Sequence, residues 1–160
     1  MLSRRTGVVI DNLACSGAGF VAVGSCGSDF AGLVAAASRD DPKIVIVQGS
    51  DNDVGQTDAA IAAATVRTVD AIHRAMPDAD VIGLSTLWDP AEDQPHEIAV
   101  TSTAVKNAVQ RFGGDYVDIG QPLREDPSLL QDDHEHPTVA GQQRLLRVIR
   151  AELVHAGYAL

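Results

Sequence analysis

The run Lys43-Ile44-Val45-Ile46-Val47, bounded by Pro42 and Gly49, constrains the fold more than any other feature of this chain. β-branched side chains favour the pleated strand, because their stiff χ1 angles pack well on its surface. An unbroken apolar run, without polar alternation, suits a strand covered on both faces in a parallel sheet. Parallel neighbours need long crossovers, usually helices. The rest of the sequence supplies both parts. Val8-Val9-Ile10, Asp80-Val81-Ile82-Gly83-Leu84-Ser85 and Tyr116-Val117-Asp118-Ile119 read as further strands. Helical spacing is found over 28–39, where Ser28 is the candidate N-cap and Phe30, Leu33, Val34 and Ala37 form one stripe. It recurs over 57–76, stopping at Pro77, over 97–112, ending at Gly113-Gly114, and over 138–156, where Thr138 is the candidate N-cap. Strand and helix alternate, which predicts βαβ units in an α/β three-layer sandwich with a parallel sheet.

Composition narrows the function. At 160 residues the chain is expected to form one domain, and 45% apolar content excludes a disordered chain. A formal charge of -10 argues against nucleic acid, whose phosphates call for a basic stripe, and against an anionic membrane surface. No apolar run approaches the roughly 20 residues of a membrane helix, so no membrane span is expected. Met1-Leu2-Ser3-Arg4-Arg5 has the charge of a secretory leader without its apolar stretch, so no signal peptide is expected. A cytoplasmic location would follow for a complete chain, and the compartment stays open for a shortened one. Cys15 and Cys26 are the only cysteines; two paired or two free thiols are both compatible with the sequence.

In open α/β sheets ligands lie beyond the carboxyl ends of the strands. Three loops on that edge have the residues for chemistry. The first, Asn12-Leu13-Ala14-Cys15-Ser16-Gly17-Ala18-Gly19-Phe20, places glycines directly after a strand. Its backbone N–H groups are thus able to approach a developing oxyanion, although an ordinary glycine turn has the same letters. The second, Gln48-Gly49-Ser50-Asp51-Asn52-Asp53, offers a neutral amide donor in Asn52. A self-bonded Asx turn and a metal site of Asp51 and Asp53 are its other readings, and the second of these lacks the ligand series of a calcium loop. The third is Asp133-His134-Glu135-His136-Pro137. A carboxylate that accepts from one imidazole nitrogen fixes the tautomer and leaves the other nitrogen as a base. Asp133 and His136 are three residues apart, so the pairing requires the loop to fold back. Asp132 and His134 compete for the same contacts, and such a loop is also able to bind a metal. His73 and His155 read as bystanders; His96 is loop-borne, and lining a cleft is the lesser of its two readings.

Taken together and in this order, the loops resemble those of the SGNH hydrolases, the GDSL esterase/lipase family. The likeness runs from about Val8 onward. It implies a flavodoxin-like parallel sheet and hydrolysis of esters, thioesters, acyl-peptides or acetylated sugars. Gly17 in Ser16-Gly17-Ala18 matches the oxyanion-hole glycine, which donates through its N–H. Asn52 in Asn52-Asp53 matches the side-chain oxyanion donor. Asp133 and His136, followed by Pro137, Ala140 and Gly141, match the last block, with His136 as general base and Asp133 as its orienter. The resemblance implies a small-molecule ester or acetylated sugar substrate and no metal or organic cofactor.

One departure is small: Ser50 and Asp51 separate Gly49 from Asn52, where the family usually has one residue. The other is large. The family's Gly-Asp-Ser block, which carries the nucleophile, should lie tens of residues before Gly17, and the sixteen residues present there contain no such motif. Ser3 lies among arginines, Gly27-Ser28-Asp29 has the right letters in the wrong order, and Ser16 and Ser50 do not occupy the family's position. The nucleophile is therefore unknown from sequence. In a flavodoxin-like order the first strand lies between the second and third, so its loss would leave Val8–Ile10 without a partner. The expectation is a single SGNH hydrolase-like domain over 1–160 that is N-terminally shortened. A natural, catalytically inactive binding or interaction domain is the alternative. A nucleotide binder is disfavoured, since neither a Gly-x-Gly-x-x-Gly run nor a P-loop lysine is present. Trp88 and the loop from it to His96, with Pro90 and Pro95, are expected to help shape the pocket. Oligomeric state is not legible.

Overall fold

The structure is a computed structural model that describes residues 9–88 and 93–159. Ser3, Val8 and positions 89–92 of the loop after Trp88, Pro90 among them, lie outside the described residues.

Among the described residues, four helices and three strands alternate, in the order expected from residue 28 onward. Helix α1 is Phe30–Ala37, strand β1 Ile44–Gln48, helix α2 Asp58–Ala75 and strand β2 Asp80–Leu84. Helix α3, His96–Arg111, strand β3, Asp115–Val117, and helix α4, Val139–His155, follow. The three strands form one sheet in the order β1-β2-β3, with β1 and β2 parallel and in register from Ile44 opposite Asp80 to Gln48 opposite Leu84. This is the α/β fold with a parallel sheet that the alternation predicts.

The caps show why the helices begin where they do. Thr57 and Thr138 accept from the N–H groups of Ala60 and Gly141, which satisfies one orphan donor at each N-terminus. In α1 the cap is Asp29, bonded to Gly32 N at 3.0 Å, and not Ser28 as expected. A carboxylate there also suits the positive end of the helix dipole. A single 3-10 turn, Ser38–Asp40, continues α1 beyond its last α-helical residue.

Contacts divide the chain into two compact units. The first comprises Asn12–Leu87 and Pro95–Tyr116. Its core joins Phe20, Val34, Val47, Ala64, Val69, Ile72, Val81, Val105 and Val109, so that α1, α2, α3, β1 and β2 share one apolar interior. Gly83 lies directly against Val105 and Val109, which draws α3 onto β2. The second unit is built around Val117–Leu160. There α4 packs on the 3-10 turn Pro127–Leu129, and Leu123, Leu130 and Leu153 are buried.

Two expectations about strands are corrected. Val9 and Ile10 belong to no strand, and Val9 is 93% exposed. Among the described residues nothing pairs with this segment, and an isolated extended segment has no ladder to hold it. Strand β1 is not covered on both faces either. Ile44 and Ile46, which share one face, are exposed, while Val47 on the other is buried. Its apolar run therefore does not report double coverage; β2, with four buried residues in succession, matches that pattern better.

Candidate active site

The loops singled out in the sequence fall into two groups, one in each unit. Gly17 and Asn52 belong to the first, Asp133 and His136 to the second.

In the first unit the glycine loop lies against the turn that follows β1. Ser50 Oγ donates to Ala18 O at 2.8 Å, and Asn52 Nδ2 donates to the same oxygen at 3.1 Å. The second amide proton of Asn52 faces Ser50 Oγ at 3.2 Å. Gly17 has φ +76°, a left-handed conformation in which a side chain would be strained. Loop N–H groups are then accounted for one by one. Ala18 N donates to Cys15 O, and Gly19 N to Ala22 O, both at 3.0 Å. Phe20, Val21 and Ala22 donate to the carboxylate of Asp53 at 2.7, 3.0 and 2.9 Å. Between Gly17 and Ala22, the Gly17 N–H is the one with no acceptor among the described residues.

Sequence reasoning missed the role of Asp53. The residue is fully buried, and its two oxygens take three consecutive backbone donors. Gly19 accommodates this contact, since a Cβ there would collide with the Asp53 carboxylate. No spacing rule links positions more than 30 residues apart. The one available signal was a carboxylate next to the Asn52 amide, opposite a loop rich in unpaired N–H groups. The metal reading of Asp51 and Asp53 fails on this geometry, because the Asp53 oxygens are already occupied. Among the described residues no group of His, Cys, Asp and Glu has the arrangement of a metal site. The open question of the cysteines is also answered: Cys15 and Cys26 form a disulfide that brackets the glycine loop, with Cα atoms 6.1 Å apart.

In the second unit the Asp133 loop does fold back. Leu130 and Pro137 form an antiparallel bridge, Gln131 N donates to His136 O at 2.8 Å, and His134 N to Gln131 O at 2.9 Å. His134 takes up the turn with φ +59°. Asp133 then caps the turn from within. Its Oδ1 accepts from Glu135 N at 3.0 Å and His136 N at 2.9 Å, while Oδ2 lies 2.9 Å from His136 Nδ1. These contacts, the His136 N–H first, then the Glu135 N–H and the imidazole, lower the Asp133 pKa from 3.8 to about 2. The carboxylate facing Nδ1 belongs to Asp133, not to Asp132. Thr138 links this turn to α4, since its hydroxyl donates to Leu129 O and accepts from Gly141 N.

The other histidines sit elsewhere. His73 stacks on Phe112, with ring centres 5.4 Å apart. His96 begins α3 and contacts Asp58 at 3.1 Å and Glu97 at 3.3 Å, while Glu97 accepts from Gly55 N. Its visible partners are thus structural carboxylates that join the starts of α2 and α3. His155 lies in the last turn of α4. Trp88 N donates to Gln121 Oε1 at 2.6 Å.

The described residues thus provide a parallel α/β fold, an imidazole–carboxylate pair on one loop, and an Asn52 amide that rests on Ala18 O of the glycine loop. The GDSL-like lipase/acylhydrolase family model matches residues 1–144, and the chain belongs to that family. A comparison with curated proteins finds no match. Among solved structures, the chain is similar to a carbohydrate esterase of family 3 from Talaromyces cellulolyticus, with 23% identity and a TM-score of 0.60 over 81% of this chain and 64% of that one. It is similar to a mutant of an acetylxylan esterase from Geobacillus stearothermophilus, with 18% identity and a TM-score of 0.59 over 79% of this chain and 68% of that one. A salicylyl-acyltransferase from a tetracycline biosynthetic pathway shares 20% identity and a TM-score of 0.65, over 84% of this chain and 44% of that one. The chain thus spans 64%, 68% and 44% of the lengths of these three proteins. At these identities the likeness carries the fold alone.

Proposed function

We propose that this chain carries the acid–base and oxyanion-binding parts of a serine-type carboxylic ester hydrolase. The observation that supports this best is the His136–Asp133 pair, with Nδ1 and Oδ2 2.9 Å apart. A carboxylate acceptor at Nδ1 selects the tautomer with its proton on that nitrogen, so proton transfer runs through Nε2. In this reading Nε2 takes the proton of a nucleophilic serine as its oxygen attacks the ester carbonyl, then returns it to the leaving alcohol. Asp133 stabilises the imidazolium formed between these steps. Its low pKa keeps it charged throughout the neutral range.

The Gly17 N–H and the Asn52 amide are the donors to the oxyanion, each worth roughly 3–4 kcal/mol in the transition state. Asn52 already spends both amide protons, on Ala18 O and Ser50 Oγ. The proton on Ser50 is the one to redirect, because that contact is longer and Ser50 keeps its own bond to Ala18. Small esters and acetylated sugars are the substrate classes this reading favours, in line with the esterases among the similar structures. The serine is left unassigned.

Two measurements test the reading on the same sample: hydrolysis of p-nitrophenyl acetate and labelling by a fluorophosphonate. Turnover that is lost in His136→Ala, together with stoichiometric labelling of one serine, is the expected result. A chain that neither turns over the ester nor takes up label supports instead an inactive binding domain.

A further inference from the structure

We propose that Asp53 is the positioning residue of the oxyanion loop: by holding the N–H groups of residues 20–22, it leaves the Gly17 N–H as the donor offered to substrate. The inference rests on the oxyanion reading given above, and assigns a role to a residue that touches no substrate.

A carboxylate that is fully shielded from water loses its hydration and needs replacement donors. Asp53 finds three, at 2.7, 3.0 and 2.9 Å, all from consecutive residues of one loop. Charge-assisted bonds of this kind are roughly twice as strong as neutral ones. Three successive N–H groups converging on one anion also fix the local backbone, because their directions are set by the dihedral angles of Phe20, Val21 and Ala22. Gly19 N closes the same turn on Ala22 O, and Ala18 N closes the preceding one on Cys15 O. Every loop donor from Ala18 to Ala22 is therefore committed, and Gly17 is the exception.

Asp53 also couples the two oxyanion donors. It directly follows Asn52, whose amide rests on Ala18 O. One 3-10 turn, Asp51–Asp53, thus presents the asparagine donor and grips the strand of backbone that presents the glycine donor. An oxyanion hole gains its effect from donors fixed before the reaction, so the geometry needs a tie of this kind. The bracketing disulfide is a weaker candidate for the role, since it joins the ends of the loop and leaves its inner amides untouched.

The test compares Asp53→Asn with Asn52→Ala in the full chain, by amide hydrogen exchange and ester kinetics. The asparagine keeps the shape but replaces one acceptor oxygen with a donor. Exchange of Phe20–Ala22 should quicken about tenfold or more while the amides of α2 and α3 keep their protection. In the same variant kcat should fall about tenfold or more with KM within about threefold, in the direction of Asn52→Ala. Unchanged exchange at residues 20–22 overturns the proposal, as does an unchanged kcat where Asn52→Ala is impaired. A general loss of protection and of both kinetic constants marks Asp53 as a folding residue only and overturns it too. If Asp53→Asn does not fold, Gly19→Ala, whose new Cβ presses on the same carboxylate, decides by the same readouts. If Asn52→Ala leaves kcat intact, or no turnover exists, the oxyanion reading fails separately, and exchange at residues 20–22 alone decides whether Asp53 sets the loop.

Discussion

The two candidate groups, one in each compact unit, are held in opposite ways. The Asp133–His136 turn is local and exposed: the bonds that Asp133 makes within it span two or three residues, and both side chains are about half open to solvent. The glycine loop is non-local: Asp53 reaches it across 31 to 33 residues from a fully buried position. A local exposed turn contributes chemistry and little fold stability, because water competes for every contact. A buried long-range clamp contributes both, because an unmade bond there leaves groups that water cannot reach.

The largest effect expected from this difference is kinetic. His136→Ala should lower kcat/KM of an active form by about ten-thousandfold or more, yet change unfolding free energy by no more than about 0.5 kcal/mol. Asp133→Asn should follow it, since an amide at Nδ1 permits the wrong tautomer. Urea melts alongside the kinetics check both; a marked loss of stability in His136→Ala would break the contrast.

Next in size is stability on the buried side. Asp53→Ala strands three N–H groups, and at roughly 1–3 kcal/mol each it should cost about 3 kcal/mol or more. A shift below about 1 kcal/mol in the same melts would show that the loop finds other partners. Cys26→Ser opens the disulfide that brackets this loop, and should cost about 2–3 kcal/mol in the chain-entropy picture. Thermal melts of the oxidised protein and the variant give that value, and equal midpoints would mean the clamp alone holds the loop.

The smallest effect sharpens the picture of the exposed half. Asp133 has a folded pKa depressed from 3.8 to about 2. Its contribution is therefore fully present above about pH 4 and is lost as pH falls through about 2. The Glu135 and His136 amide resonances should titrate with a midpoint near 2. A midpoint at the ordinary carboxylate value would show that the turn is not formed in solution.

The contrast also explains what could be read from the chain. Asp133 and His136 were recognisable because residues three apart meet whenever a single turn closes. Thr138 was legible as a cap for the same reason. Ser28 was preferred over Asp29 because neighbouring polar residues compete for one capping place, and only the path of the preceding chain chooses between them. The segment at Val9 and Ile10 misled through its β-branched letters, since strand propensity takes effect only beside a partner. The exposed face of β1 misled likewise: apolar letters record what a residue tolerates, not which neighbours arrive.

By itself the sequence determined the alternation of strands and helices, the acidic charge, and the candidate residues Gly17, Asn52, Asp133 and His136. The alternation follows from periodicity and capping, which act within a few residues, and the four candidates from the resemblance of their loops, taken in order, to those of the SGNH hydrolases. Tertiary structure alone decided that Cys15 meets Cys26, that the Asn52 amide rests on Ala18, and that Asp53 is a clamp rather than a metal ligand. The last two depend on distant loops being brought to one place by packing of the core, and buried charge then selects the partners that replace its lost water.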